Sequence, residues 1–281
     1  MTIESGQIFA QRYLLKNRID SDKPGQTWRA LDQSLNREVC LFLLPVTDPR
    51  STILTTNCEA TGGINARGIV SLYDVIHAAP LAKLVNDGNP NQYFTAVVTE
   101  WVVGHSLEDI IEADDETMQT LDAVKMCRSI AETLEIVHHH GITHSRLSPR
   151  NIIFADSNEI RIRGLGIDKS LEHDFLPESI DDDIRALGQI LFSALTRTTW
   201  IEPANYVGSL AEKSAMLPPG HYTAGIPSNV DAFFESTQNR TYSTMSQVIT
   251  ALDAVIRTFS TFETSHQAGS NPTSSGVTKV A

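Results

Sequence analysis

The hydrophobic pattern of this chain changes period near residue 106, and this change constrains the fold more than any other feature. Before it, short runs rich in β-branched and aromatic residues, such as 38–44 and 93–103, are separated by turns of Asp, Ser, Pro and Gly. After it, apolar residues recur at helical spacing over 121–137, 183–195 and 242–256, which predicts amphipathic helices. Strands followed by helices predict an α+β chain with a small β-rich lobe before a larger helical lobe.

The same pattern divides the chain into three segments. Residues 1–104 are predicted to form the N-lobe and the hinge after it, and residues 105–257 the C-lobe. Residues 258–281 are rich in Ser, Thr, Gly, Asn and Pro and have almost no apolar period. Such a segment cannot bury enough surface to offset the entropy of ordering, so we predict a disordered tail. Because no closing element follows it, we also expect the chain to belong to a longer protein.

Charge and cysteine content exclude several classes of function. The 281 residues carry a net charge of −12, which argues against nucleic acid or an anionic membrane surface as a partner. No segment approaches the roughly 18 apolar residues needed to span a bilayer. Cys40, Cys58 and Cys127 are far apart and form no CxxC pair, which indicates small buried thiols in a reducing compartment.

Several segments together resemble a bacterial Ser/Thr protein kinase domain over roughly residues 8–257. The longest is GITHSRLSPRNIIF at 141–154, which resembles the catalytic loop between its long helix and its following strand. The others are strand-like residues 29–39, the hinge-like TEWVVGHSL at 99–107, the helix start at 183–188 and the closing segment at 240–252. The resemblance implies a bilobal protein kinase-like fold.

The residues that the resemblance aligns with the kinase machinery are mostly replaced. Phosphoryl transfer in this family uses a Gly-rich loop, a strand lysine, a catalytic base and metal-binding carboxylates. The aligned residues here are Asp20, Asp22 and Gly25 in the loop, Phe42 for the lysine, Arg146 for the base, Ser148 for the catalytic-loop lysine and Gly164 for the metal-binding Asp; Asn151 is retained. Glu59 is the best candidate for the acidic partner of the strand lysine, although Gly62 and Gly63 interrupt its helix.

These replacements predict a pseudokinase, that is, a chain that is not an enzyme. Asp20 and Asp22 would repel phosphates, and Arg146 stays protonated and cannot act as a base. Phe42 cannot pair with phosphate and could instead fill the cleft. Since a single amide oxygen from Asn151 does not hold Mg²⁺, we expect no metal and no cofactor.

Two other polar clusters favour structural interpretations. The histidines at 138–140 point in different directions around a helix end, so they are not predicted to converge on one metal ion. The carboxylates at 181–183 are expected to stabilise the N-terminus of the following helix. Asp183 in addition resembles the residue that supports the catalytic loop from below.

The Ser/Thr-rich tail favours a functional interpretation. Thr264, Thr273 and Thr278 are candidate phosphorylation sites in accessible sequence. Phosphorylation adds negative charge and creates a docking site for an FHA-type domain. The alternative is an inert linker.

Within the kinase family, the lost motifs and the tail resemble the cytoplasmic pseudokinase domain of actinobacterial lipid II flippases, called MurJ or MviN. This resemblance implies a cytoplasmic domain of a plasma-membrane protein, phosphorylation by a receptor-type Ser/Thr kinase, and recruitment of an FHA-domain protein that controls peptidoglycan synthesis. It also implies dimerisation through the N-lobe.

Two alternatives remain open: a module that binds ATP without turnover, and an unconventional nucleotidyl transferase. The second needs metal carboxylates, and neither Glu159 nor Asp168 stands at the ligand position in the sequence.

Overall fold

The first lobe is built around a strand barrel. The structure is a computed structural model, and it describes residues 3–20, 25–82, 92–113, 117–171, 179–198 and 217–268. The barrel strands are β1 (Ile8–Phe9), β2 (Tyr13–Asp20), β3 (Gln26–Asp32), β4 (Arg37–Pro45), β5 (Leu72–Ala82) and β6 (Tyr93–Glu100). They pair in the order β1-β2-β3-β4-β6-β5, and the barrel closes where β1 pairs antiparallel with β5.

Strand β4 is buried on both faces, which explains its almost continuous apolar sequence. Its residues Val39, Leu41 and Leu43 face the barrel core. Phe42 and Leu44 face the other way and pack against helix α1 (Ser51–Thr61). The strand therefore couples the barrel to the helix beside the interlobe cleft.

The second lobe is helical and surrounds one long helix. After β7 (Gly104–Ser106) and α2 (Leu107–Ala113), α3 (Thr120–His139) forms the centre, followed by the short strands β8 (Ile152–Ala155) and β9 (Ile160–Ile162). The remaining helices are α4 (Ile180–Thr196), α5 (Pro219–Tyr222), α6 (Ser228–Gln238) and α7 (Met245–Ala268). The core joins buried residues of α3, such as Ile130 and Leu134, to Leu187 of α4 and Leu252 of α7.

This architecture confirms the predicted α+β order of a β-rich lobe followed by a helical lobe. Helix α6 was not predicted. In the part of the chain that the structure describes, no helix combines the length and the apolar composition needed to cross a bilayer.

The last helix differs from the expectation of a disordered segment beginning at residue 258. Helix α7 continues to Ala268. The apolar pattern extends further than composition suggested, because Ile256 and Phe259 still pack against the core. Thr264 therefore lies on a helix, while Thr273 and Thr278 lie outside the described residues.

A buried carboxylate at the end of β3 predicts acid sensitivity of the N-lobe. The side chain of Asp32 is 1% exposed and accepts hydrogen bonds from Nε and Nη2 of Arg12 at 2.8 and 2.7 Å. The Arg12 hydrogen bonds lower the pKa of Asp32. A lowered folded-state pKa contributes stability above the unfolded-state pKa, and this stability is lost as the pH falls through the folded-state value.

We therefore expect the wild-type chain to lose more free energy of unfolding than Asp32→Asn when the pH falls from 7 to 3. Urea unfolding of both proteins at each pH measures this difference. Equal losses in the two proteins would show that Asp32 does not carry the pH dependence.

Candidate active site between the lobes

A cleft of about 460 Å³ lies between the two lobes. Thr27, Cys40 and Phe42 line it from the barrel, and Trp101 lines it from the segment that joins the lobes. On the opposite side it is lined by the catalytic-loop residue Asn151 and by Gly164 and Asp168. Of the residues that the sequence analysis aligned with kinase machinery, Phe42, Asn151 and Gly164 line this cavity.

The connection between the lobes is held by side chains of the second lobe. Arg161 of β9 donates from Nη2 to the carbonyl oxygen of Ile69 at 2.9 Å and from Nη1 to Oε1 of Glu100 at 3.2 Å. Gly104 begins β7 with φ of +154°, and a Cβ there would lie 2.1 Å from the carbonyl oxygen of Phe154. Only glycine allows β7 to approach β8 this closely.

Phe42 lines the cleft from the roof formed by the barrel. Its side chain is 3% exposed and packs with Leu54, Cys58 and Leu171. A Cβ at Gly25 would lie 2.3 Å from Cζ of the Phe42 ring, so the ring lies directly against Gly25. In protein kinases a lysine at this position forms an ion pair with an acidic residue. Here the ring of Phe42 makes apolar contacts instead.

The two acidic loop residues are only partly covered by the structure. Asp20 is the last residue of β2, opposite Thr27 in the register of β3. Asp22 lies outside the described residues. The predicted repulsion between these carboxylates and phosphate stays a prediction.

Helix α1 presents Cys58, and not Glu59, to the cleft side. The expectation that Glu59 faces the strand-lysine position is wrong: its Oε1 lies 2.6 Å from Nε2 of His77, and its side chain is 52% exposed. Cys58 is fully buried, and this burial raises the pKa of its thiol to about 12. The thiol therefore stays protonated near neutral pH, which makes it a packing residue.

Asp183 supports the catalytic loop from below, as predicted. Its buried carboxylate accepts the backbone N–H groups of His144 and Ser145, each at 2.8 Å. Ser145 has φ of +64°, so these hydrogen bonds hold the loop in a left-handed turn. The N-cap of α4 is Ser179, which accepts the N–H of Asp181, and the carboxylates at 181–183 all lie in the first turn of the helix.

The histidines at the end of α3 contact three different partners, as expected from their directions around the helix. Nε2 of His138 lies 2.8 Å from Oδ2 of Asp183. Nδ1 of His139 lies 2.7 Å from the carbonyl oxygen of Glu135, and Nδ1 of His140 lies 2.8 Å from that of Ile136. Their role in this structure is to close the helix and to hold Asp183.

The floor of the cleft contains a carboxylate that the sequence did not place there. Gly164 has φ of +91°, and a Cβ at this residue would lie 2.4 Å from Oδ2 of Asp168. Asn151 is 1% exposed, and its Nδ2 donates to the same Asp168 oxygen at 2.6 Å. Its Oδ1 accepts the hydroxyl of Ser148 at 2.7 Å. Asp168 therefore occupies the space that a side chain at residue 164 would enter, contrary to our expectation.

A tight turn brings Asp168 back to this position. The backbone N–H groups of Ile167 and Asp168 both donate to the carbonyl oxygen of Gly164 at 3.0 Å. The turn leads into a short 3-10 helix, Asp168–Leu171. Arg146, at the catalytic-base position, lies in an exposed part of the catalytic loop.

Comparisons with known proteins identify the family. The family model described as protein kinase domain matches residues 13–200, and the chain therefore belongs to the protein kinase family. PknA of Mycobacterium tuberculosis, a serine/threonine-protein kinase, is 24% identical over 267 residues, covering 84% of this chain and 58% of PknA. A probable serine/threonine-protein kinase of Clostridium acetobutylicum is 27% identical over 169 residues, covering 59% of this chain and 24% of that protein.

A solved structure supports the same fold. The crystal structure of the Mycobacterium tuberculosis PknI kinase domain matches with a TM-score of 0.67 and 13% identity, covering 90% of this chain and 99% of that domain. The predicted bilobal kinase fold is thus confirmed. The chain spans between about a quarter and somewhat more than half of the length of the two kinase sequences above.

These matches contradict the prediction that the chain is not an enzyme. A protein kinase domain whose named relatives are Ser/Thr protein kinases points to a kinase enzyme, so that prediction is wrong. That prediction assumed that each chemical group comes only from its aligned position. Asp168 shows the weakness of that assumption, because its carboxylate reaches the Gly164 position from four residues further along the chain.

Proposed function

We propose that this kinase-family domain is a phosphorylation-regulated scaffold. A receptor-type Ser/Thr kinase modifies a threonine in the C-terminal segment, and the phosphothreonine recruits an FHA-domain protein that regulates peptidoglycan synthesis. The observation that carries the proposal is the position of this Ser/Thr-rich segment in the chain. Residues 269–281 directly follow the end of α7.

Helix α7 is firmly attached to the body before it reaches this segment. Val248 and Leu252 are fully buried in the C-lobe core. Asp253 accepts a hydrogen bond from Nε of Arg128 on α3 at 2.5 Å. In the sequence, Thr273 and Thr278 follow the last residue of this helix, Ala268, within ten residues.

The partners follow from chemistry and from the resemblance given above. A phosphate adds roughly −1.5 to −2 charge at pH 7 and forms strong hydrogen bonds with arginines, which is the basis of phosphothreonine recognition. The likeness to the kinase-like domain of lipid II flippases supports the link to the cell wall and to the plasma membrane. The contact with the kinase is proposed to use the N-lobe of this chain.

Binding of an FHA domain before and after phosphorylation tests the proposal. We expect the chain to bind an isolated FHA domain after treatment with the receptor-type kinase and Mg-ATP, and to lose binding after phosphatase treatment. Isothermal titration calorimetry measures both states. Binding that is equal in the two states would contradict the phosphorylation-regulated scaffold.

A second candidate function is nucleotide binding in the cleft. It is favoured by the 460 Å³ cavity, which lies against the hinge segment and is still open beside the ring of Phe42. A ligand that binds only the folded state raises the melting temperature. We expect millimolar ADP to raise it by a few degrees, whereas an unchanged melting temperature would remove this candidate.

A further inference from the structure

We infer that Asn151 and Asp168 form a divalent-cation site whose remaining ligands come from the phosphates of a bound nucleotide. The inference rests on the second candidate function, nucleotide binding in the cleft. It assigns to Asp168 a role that the aligned sequence gives to residue 164, which is glycine here.

The local geometry of the cleft floor supports this substitution. A side chain at residue 164 and the carboxylate of Asp168 cannot both be present, because a Cβ at Gly164 would lie 2.4 Å from Oδ2 and 2.9 Å from Cγ of Asp168. The same Cβ would lie 2.8 Å from Nδ2 of Asn151. The absence of a side chain at residue 164 thus makes room for a carboxylate beside the retained asparagine.

The two side chains have the chemistry that a hard cation requires. Mg²⁺ prefers oxygen ligands, keeps several waters, and is commonly held by one or two carboxylates together with substrate phosphates. Within the described residues, no group of three or more His, Cys, Asp or Glu side chains is placed to hold a metal ion. A cation on this pair therefore depends on phosphate oxygens, so metal and nucleotide are expected to bind together.

Hydrogen bonds hold both groups in place before a ligand arrives. Asn151 is buried and contacts Asp168 through Nδ2 and Ser148 through Oδ1. The hydroxyl of Ser148 can rotate, so it can release this oxygen when a cation takes its place. Little conformational entropy remains to be lost at Asn151 on binding.

Two arginines near the same floor are candidate partners for the phosphates that complete the site, and Glu108 and Asp109 line the cleft beside them. Arg150 and Arg163 both line the cleft, and both are exposed to solvent. Arg150 contacts Glu108, with 3.5 Å between Nη2 and Oε1. These arginines supply cationic groups on the floor, while the roof carries the uncharged ring of Phe42.

The test is the binding of Mn²⁺ and the non-hydrolysable nucleotide AMP-PNP. The free Mn²⁺ signal in electron paramagnetic resonance reports metal binding, and calorimetry without metal reports nucleotide binding. We expect Asp168→Asn to weaken Mn²⁺ binding in the presence of AMP-PNP by at least about tenfold, and to leave metal-free AMP-PNP binding within about twofold of wild type. The matched control is Asp156→Asn, which removes the same charge from an exposed site and is expected to leave both quantities unchanged.

The outcomes separate the two proposals. If Asp168→Asn binds Mn²⁺ as wild type does while AMP-PNP binds both proteins, the metal site is overturned and nucleotide binding stands. If wild type binds AMP-PNP neither with nor without Mn²⁺, nucleotide binding fails and the metal site fails with it. Should Asp168→Asn not fold, Asp168→Ser decides: weakened Mn²⁺ binding in a folded protein supports the site, and Mn²⁺ binding equal to wild type contradicts it.

Discussion

Asp183→Ala is expected to lower the free energy of unfolding by about 3–5 kcal/mol, the cost typical of removing one partner from a buried, hydrogen-bonded charge. The Asp183 carboxylate is fully buried and accepts the N–H groups of His144 and Ser145, and Nε2 of His138 lies 2.8 Å away. The variant leaves two backbone donors without their acceptor, and each such unsatisfied group is itself costly. Urea unfolding followed by circular dichroism measures the loss.

Asp182→Ala is the matched control for this prediction. Asp182 lies next to Asp183 in the first turn of α4, where a carboxylate interacts favourably with the helix dipole. Its removal is therefore expected to cost only about 0.3–1 kcal/mol. Similar losses for the two variants would show that Asp183 acts through the helix end and not through the catalytic loop.

Replacing the phosphorylated threonine by alanine is expected to abolish FHA binding, with a loss of more than about 100-fold in affinity, because the charge-assisted hydrogen bonds to phosphate carry recognition. We expect this loss in one of the variants Thr273→Ala and Thr278→Ala. Thr264→Ala is expected to retain binding, because Thr264 lies within helix α7, whose backbone is not extended for a kinase active site.

Calorimetry with each variant, after treatment with the receptor-type kinase, measures these affinities. Ser274→Ala is a suitable control, since it removes a hydroxyl beside Thr273 without touching a candidate threonine. Full binding by both Thr273→Ala and Thr278→Ala would contradict the assignment of the docking site to residues 269–281.

Features set by local pattern were predictable from the sequence. The run at 38–44 predicted a buried strand, and β4 is buried on both faces. The helical spacing at 121–137 predicted α3, which is the centre of the C-lobe. The role of Asp183 was also predicted, through the resemblance of 183–188 to the helix start of a kinase domain.

Features set by three-dimensional contact were not predictable in the same way. The position of Asp168 depends on a turn at Gly164 whose backbone has positive φ, and residue spacing alone does not reveal that return. The direction of Glu59 depends on the rotation of α1 about its axis, and the weak apolar pattern of that helix did not define it. The continuation of α7 past residue 257 brings Phe259 against the core, a contact that the polar composition did not indicate.

The prediction that this chain is not an enzyme was based on residue identity, and the family match corrects that prediction. Replacement of a functional group at its aligned position does not exclude another residue from supplying that group. Asp168 is such a residue by position. The scaffold proposed above requires only that the phosphate on the C-terminal threonine comes from the receptor-type kinase.

The most direct test of the scaffold is the intact mass of the chain after incubation with Mg-ATP, with and without a receptor-type Ser/Thr kinase, followed by mapping of the modified residue. The account predicts one added phosphate only when the kinase is present, at Thr273 or Thr278. Phosphate added only to the folded body, or to the C-terminal segment without the second kinase, would contradict it.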